Sequence, residues 1–87
     1  MSAGTPVTIG YTLSSNQNVW IRAYDLVGYP VRQFAFAAGA SGAQNGTNLV
    51  VWDLKDSQGA RIEAGVYVVI IKPANEPETR LRVLVQR

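Results

Sequence analysis

The sequence predicts an all-β, antiparallel sandwich of about seven strands, and three observations lead there. The dominant hydrophobic period is two, the period of a half-buried strand. The alternating stretches are short and recur at about ten-residue spacing with turn residues between them. Finally, no segment carries apolar residues at helical spacing between capping residues.

Taken in order, VTIGYTL sets Val7, Ile9, Tyr11 and Leu13 against Thr8, Gly10 and Thr12, which predicts a first strand. SSNQN is a polar turn. In VWIRAY, Val19, Ile21 and Ala23 share one face, and Trp20, Arg22 and Tyr24 give the other an aromatic character. DLVGYP reads as a tight connection, with Gly28 supplying a positive φ and Pro30 opening the next strand. VRQFAF breaks its period once between Val31 and Phe34, as a β-bulge would require. AAGASGAQNGTN, residues 37–48, is Gly-rich and short of apolar residues. It is expected to be a mobile loop, with Asn45-Gly46 as its hairpin signal. The same Asn45-Gly46-Thr47 spells a glycosylation sequon that the turn already explains. In LVVWD, Val50 and Trp52 share one face while Leu49 and Val51 share the other. GVYVVII is apolar at every position after its glycine, the pattern of a central strand covered on both sides. After the turn PANEPE, TRLRVLVQR points Leu81, Val83 and Val85 inward and Arg80, Arg82 and Leu84 outward.

Composition removes several classes of function. The 87 residues, with 7–87 expected as one domain and 1–6 as a disordered or added lead, include no Cys and no His. Zinc sites need thiolates or imidazoles, nucleophile–base pairs need His, and no other common side chain titrates near neutrality unperturbed. The sequence therefore predicts no enzyme, no metal and no cofactor. A net charge of +2, with basic residues scattered apart from Arg80, Arg82 and Arg87, is too mild for a nucleic-acid stripe. No apolar run approaches the roughly 18 residues of a membrane span, and the first ten residues lack the pattern of a signal peptide.

The acidic stretch WDLKDSQGARIEAGVY is the one place where carboxylates crowd together with Lys and Ser. As a calcium loop it lacks oxygen ligands at alternate positions, and Lys55 stands between Asp53 and Asp56. A glycosidase pair of Asp53 or Asp56 with Glu63 needs a cleft that a small sandwich with short loops has little room for. Asp56-Ser57-Gln58-Gly59 instead has Asp first and Gly last, as a type I turn favours. Asp53 is placed to bind free loop amides, and Gly65 re-enters the sheet where it avoids a clash or takes an unusual φ. Trp52 then anchors one sheet and Tyr67 the other.

VTIGYTL, VWIRAYDLVGYPVR, LVVWDLKDSQGARIEAGVYVVII and TRLRVLVQR together resemble the FlgD-type Ig-like family over nearly the whole chain from Val7. The specific parts are Tyr24-Asp25-Leu26 with Gly28, Trp52-Asp53 with Asp56 and Gly59, and Gly65-Val66-Tyr67. The resemblance implies an Ig-like antiparallel β-sandwich in which these residues are a structural signature and not an active site. Leu54 departs from the family's usual Gly after Trp-Asp, and the stretch between Phe36 and Leu49 is longer and richer in Ala and Gly. The family occurs in the flagellar hook-assembly scaffold and as C-terminal modules of secreted bacterial proteins, including type IX secretion sorting domains.

The resulting expectation is a non-catalytic module of an exported bacterial protein, extracellular or at the cell surface, with the periplasm as the alternative. It would act as a sorting, anchoring or spacer domain through a protein partner or its parent chain's other domains. An open sheet edge and the basic strand with Arg80, Arg82 and Arg87 would provide the contacts. Those arginines serve equally to keep an edge strand from aggregating. The alternatives are a self-assembling scaffold, suggested by Leu49, Val51, Leu84 and the apolar run 65–71, which offer more apolar surface than one small sandwich hides, and a carbohydrate platform of Trp20, Tyr24 and Tyr29. Neither nucleic acid nor membrane insertion is expected.

Overall fold

The structure, a computed structural model, describes residues 6–85; residues 1–5, and with them most of the expected 1–6 lead, lie outside the described residues together with Gln86 and Arg87. Six strands follow in chain order: β1 (Val7–Leu13), β2 (Val19–Tyr24), β3 (Pro30–Phe36), β4 (Gly46–Trp52), β5 (Gly65–Pro73) and β6 (Thr79–Val85). β1 pairs with β4 in a two-stranded sheet, and the order β3-β2-β5-β6 makes a four-stranded one; every pairing is antiparallel.

Six strands rather than about seven stand among the described residues. The stretch between β4 and β5 is occupied by turns and reaches strand geometry only at one bridge, Lys55 with Arg61. Alternation elsewhere sorts the side chains as expected. Ile9, Leu13, Val50 and Trp52 of the small sheet face Val19, Ile21, Ala23, Tyr67, Val69, Ile71, Val83 and Val85 of the large one, and all are buried. Leu54, Ile62 and Ala43 close this core from the loops.

The β3 irregularity is a bulge. Ala23 pairs with Arg32 and Tyr24 with Pro30, so Val31 has no opposite number on β2. The extra residue restores the period and returns Phe34 and Phe36 to the core side, opposite Ile21 and Val19.

Three expectations need correction. β5 is central, between β2 and β6, but it is buried on one face only: Tyr67, Val69 and Ile71 are buried while Val66, Val68 and Ile70 are half-buried. A central place fills both hydrogen-bonding edges of a strand, yet covering both faces needs a third layer, which these six strands do not supply. Asn45-Gly46 forms no hairpin, because β3 and β4 belong to different sheets and β4 pairs with β1. The loop before it is a folded crossover, not a loose one. Gly39 N donates to Ala43 O at 2.9 Å, Ala43 N to Ala40 O at 2.8 Å, Ala38 N to Asn18 Oδ1 at 2.8 Å and Asn45 N to Asn16 Oδ1 at 2.7 Å. Composition alone missed these bonds because Asn16 and Asn18 approach the loop only once β1 and β2 are in place.

Candidate interaction surface

The signature residues build the corners of the sandwich. Asp25 and Asp56 each close the same turn: Gly28 N donates to Asp25 O and Gly59 N to Asp56 O, both at 3.1 Å. Asp25 Oδ1 accepts from the amides of Val27, Gly28 and Tyr29, and Asp56 Oδ1 from those of Gln58 and Ala60. Gly28 and Gly59 carry φ values of 102° and 87°, which a side chain would strain. Thus two Asp-x-x-Gly turns of one design cap β2 and bridge β4 to β5.

Asp53 Oδ1 accepts from Lys55 N and from the Arg32 guanidinium, each at 3.2 Å, and the same guanidinium reaches Lys55 O and Asp56 O. Arg32 therefore ties edge strand β3 to this corner, and Ser57 N adds a bond to Val31 O at 3.0 Å. Trp52 is fully buried, meets the Tyr67 ring edge-on with centroids 6.3 Å apart, and donates its indole N–H to Lys55 O at 3.0 Å. Tyr67 donates its hydroxyl to Glu63 O at 2.7 Å. Gly65 opens β5 at φ 152° with open space where a Cβ would stand, so conformation and not crowding accounts for it. With both aspartates engaged in turns, no group of three or more His, Cys, Asp or Glu among the described residues is placed to hold a metal ion.

At the opposite end, Glu76 joins β1 to the β5–β6 turn. Its carboxylate accepts from Ser14 N at 2.9 Å, from the Ser14 hydroxyl and from the Gln17 amide. These bonds, the Ser14 backbone N–H first, hold the Glu76 carboxyl below its ordinary pKa. Buried Gln17 in turn accepts from Asn75 N at 2.8 Å. Sequence inspection passed over both residues, whose partners lie about sixty positions away.

The outward face of the large sheet is the surface suited to contact. Strand register lines up its side chains in rows: Ala35, Trp20 and Lys72; then Gln33, Arg22, Ile70 and Arg80; then Tyr24, Val68 and Arg82; then Val66 and Leu84. Arg22, Lys72, Arg80 and Arg82, half of the chain's eight Lys and Arg, share this face, and no outward position of its strands carries Asp or Glu. The cations that looked scattered along the sequence are gathered by the sheet. Arg22 and Lys72 were missed as site residues: Arg22 stands two positions from Trp20 on the same strand and was readable, whereas Lys72 comes beside Trp20 only through the pairing of β2 with β5.

Arg80 pairs with Glu78 at 3.0 Å in the open, while Arg82 has no carboxylate within ion-pair distance among the described residues. Arg87, the third expected contact, lies outside the described residues. Trp20 is half-buried with the Arg22 guanidinium 4.2 Å from its ring centre. It lines an open groove of about 510 Å³ with Asn18, Phe36, Lys72 and Pro73. Trp20 and Tyr24 stand four residues apart on β2, about 13 Å, with Arg22 between them, and Tyr29 lies beyond in the turn. Of the rings of the expected sugar platform, Trp20 and Tyr24 are thus on β2 with Arg22 between them, and Tyr29 is off the strand.

No family model matches the sequence, and the search of curated proteins gives no match. Among solved structures, the chain is similar to the crystal structure of FlgD from P. aeruginosa, with a TM-score of 0.71 and 21% identity over 98% of this chain. It spans 64% of the length of that FlgD chain. The six strands, their two antiparallel sheets and this likeness together identify the architecture as a FlgD-like β-sandwich.

Proposed function

We propose that this chain is a non-catalytic contact module of an exported bacterial protein, working as a terminal sorting, anchoring or spacer domain. The observation that carries the proposal is the outward face of the large sheet, with four cations and no strand carboxylate around half-buried Val66, Val68 and Ile70. Such a face attracts an acidic partner at long range and offers it apolar area on arrival. The FlgD-like architecture is in keeping with a structural role at the bacterial exterior.

The test fuses the chain behind a reporter in a bacterium with type IX secretion. Display of the reporter at the cell surface is the expected result, and its loss in an R22E/R82E variant of unchanged thermal stability assigns the contact to this face. Reporter retained in the periplasm overturns the sorting and anchoring roles.

A second reading, a self-assembling scaffold, is favoured by the other sheet, where Leu49 and Val51 are 65% and 61% exposed on neighbouring outward positions of β4. Sedimentation at several concentrations separates the two: association abolished by L49T/V51T supports the scaffold, and a monomer throughout removes it.

A further inference from the structure

We infer that β6 is a docking edge for an extended protein segment alternating acidic and apolar side chains, which adds to the large sheet as a fifth strand. The inference rests on the protein-contact reading above and specifies its partner.

The large sheet ends in two edges, and they differ. β3 is blunted: it starts with Pro30, bulges at Val31, and receives Ser57 N on the Val31 carbonyl. Pro, bulges and covering loops close an edge to any added strand, whereas edge charges turn away like-charged strands. Over its described length β6 has no proline, bulge or covering loop; its only guard is the charge of Arg80 and Arg82, which repels a basic strand and admits an acidic one. Its seven residues, Thr79–Val85, pair with β5 in unbroken register from Ile71 opposite Thr79 to Gly65 opposite Val85. Among the described residues no backbone group outside β5 bonds to it. A straight edge of this kind presents alternate N–H and C=O groups to an incoming strand.

The side chains beside that edge specify the newcomer. On the outward face it would lie alongside Arg80, Arg82 and Leu84, all exposed. Arg82 has no carboxylate partner among the described residues, and the Arg80–Glu78 pair is solvent-exposed and therefore weakly held. Acidic residues at alternate positions satisfy both guanidinium groups. On the inward face the newcomer would lie alongside Leu81, which is only half-buried at the flank of the core, and Val83. Apolar residues there extend the core.

A second copy of this chain fits less well. Antiparallel pairing of β6 with β6 over its whole length sets Arg82 against Arg82, and like charges directly opposite are destabilising. The edges of the small sheet carry only Thr, Gly, Leu and Val at outward positions, so no charge selects a partner there.

The test titrates the isotope-labelled chain with three blocked ten-residue peptides: Val alternating with Glu, Val alternating with Lys, and Gly alternating with Glu. The expected result is saturable binding of the Val/Glu peptide, with slowed amide exchange confined to the β6 amides that point away from β5. It should bind at least tenfold more tightly than either control. R80E/R82E should reverse the order, favouring Val/Lys, at unchanged melting temperature. Equal binding of Val/Glu and Val/Lys overturns the inference, as does absence of binding. Shifts confined to Trp20, Arg22 and Ile70 also overturn it but leave the protein-contact reading standing. β6 amides already protected in a concentration-dependent manner without peptide would assign the edge to a second copy and overturn the acidic partner.

Discussion

Leu54 sets two opposed effects at one position. Its φ of 60° lies in the left-handed region that costs a non-glycine residue about 1–2 kcal/mol, yet its side chain is 5% exposed and closes the core beside Trp52. Leu54→Gly relieves the backbone but removes a buried side chain, for which truncation to Ala alone costs about 2–5 kcal/mol. Packing wins, and chemical denaturation should show the variant less stable by about 1–3 kcal/mol. A Leu54→Gly protein more stable than the parent would mean that strain dominates. Glu76 makes a prediction in pH. Its carboxyl is lowered from the ordinary value of 4.5, so the folded state favours the ionised form. The stability it contributes is present above that value and is lost as pH falls through the lower, folded-state one. In Glu76→Gln, the loss of stability from pH 5 to pH 3 should be shallower than in the parent; identical slopes would show the Ser14 bonds to be without consequence.

The repeated Asp-x-x-Gly turns carry the prediction that belongs to the elements. Beyond the chain neighbours, no atom lies within 4 Å of the Cβ position at Gly28 or Gly59, so substitution there tests backbone conformation without a clash. Gly28→Ala and Gly59→Ala should each cost about 1–2 kcal/mol, and Gly59→Asn less, since Asn tolerates this conformation. Equal costs for Ala and Asn would point to a different origin. These turns were readable in advance because the bonds that close them are local: Asp25 and Asp56 bind amides two to four residues on. The Arg32–Asp53 clasp was not, because it joins residues 21 positions apart whose approach depends on how one sheet lies over the other. The β3 bulge falls between these cases: the broken period announced an extra residue, and pairing with β2 decided that Val31 is the one left over.

In the molecule as a whole, Trp52 of the small sheet and Tyr67 of the large one meet edge-on in a core without disulfides. A domain of this size is stable by about 5–10 kcal/mol, and Trp52→Ala should remove roughly 3–5 of it. The two-stranded sheet cannot persist once separated from the large one, since an isolated hairpin-sized pair is marginal in water. Unfolding followed by indole fluorescence and by far-ultraviolet circular dichroism should therefore trace one coincident transition in the parent. Two separated transitions would show that the sheets unfold independently.

In β1, β2, β4 and β6 alternation by itself sorted the side chains onto two faces, because a pleated strand turns successive residues to opposite sides whatever its neighbours are; the uniformly apolar β5 and the bulged β3 needed their neighbours to decide. It likewise determined the corners, where Asp and Gly act over a few bonds. Strand order was decided only in three dimensions. Pairing β2 with β5 and β5 with β6 brought Arg22, Lys72, Arg80 and Arg82 onto one face, left Val66, Val68 and Ile70 without a covering layer, and put β6 at an open edge. Those outcomes depend on contacts between residues far apart in the chain, and the period of a single strand carries no record of which strand will lie beside it.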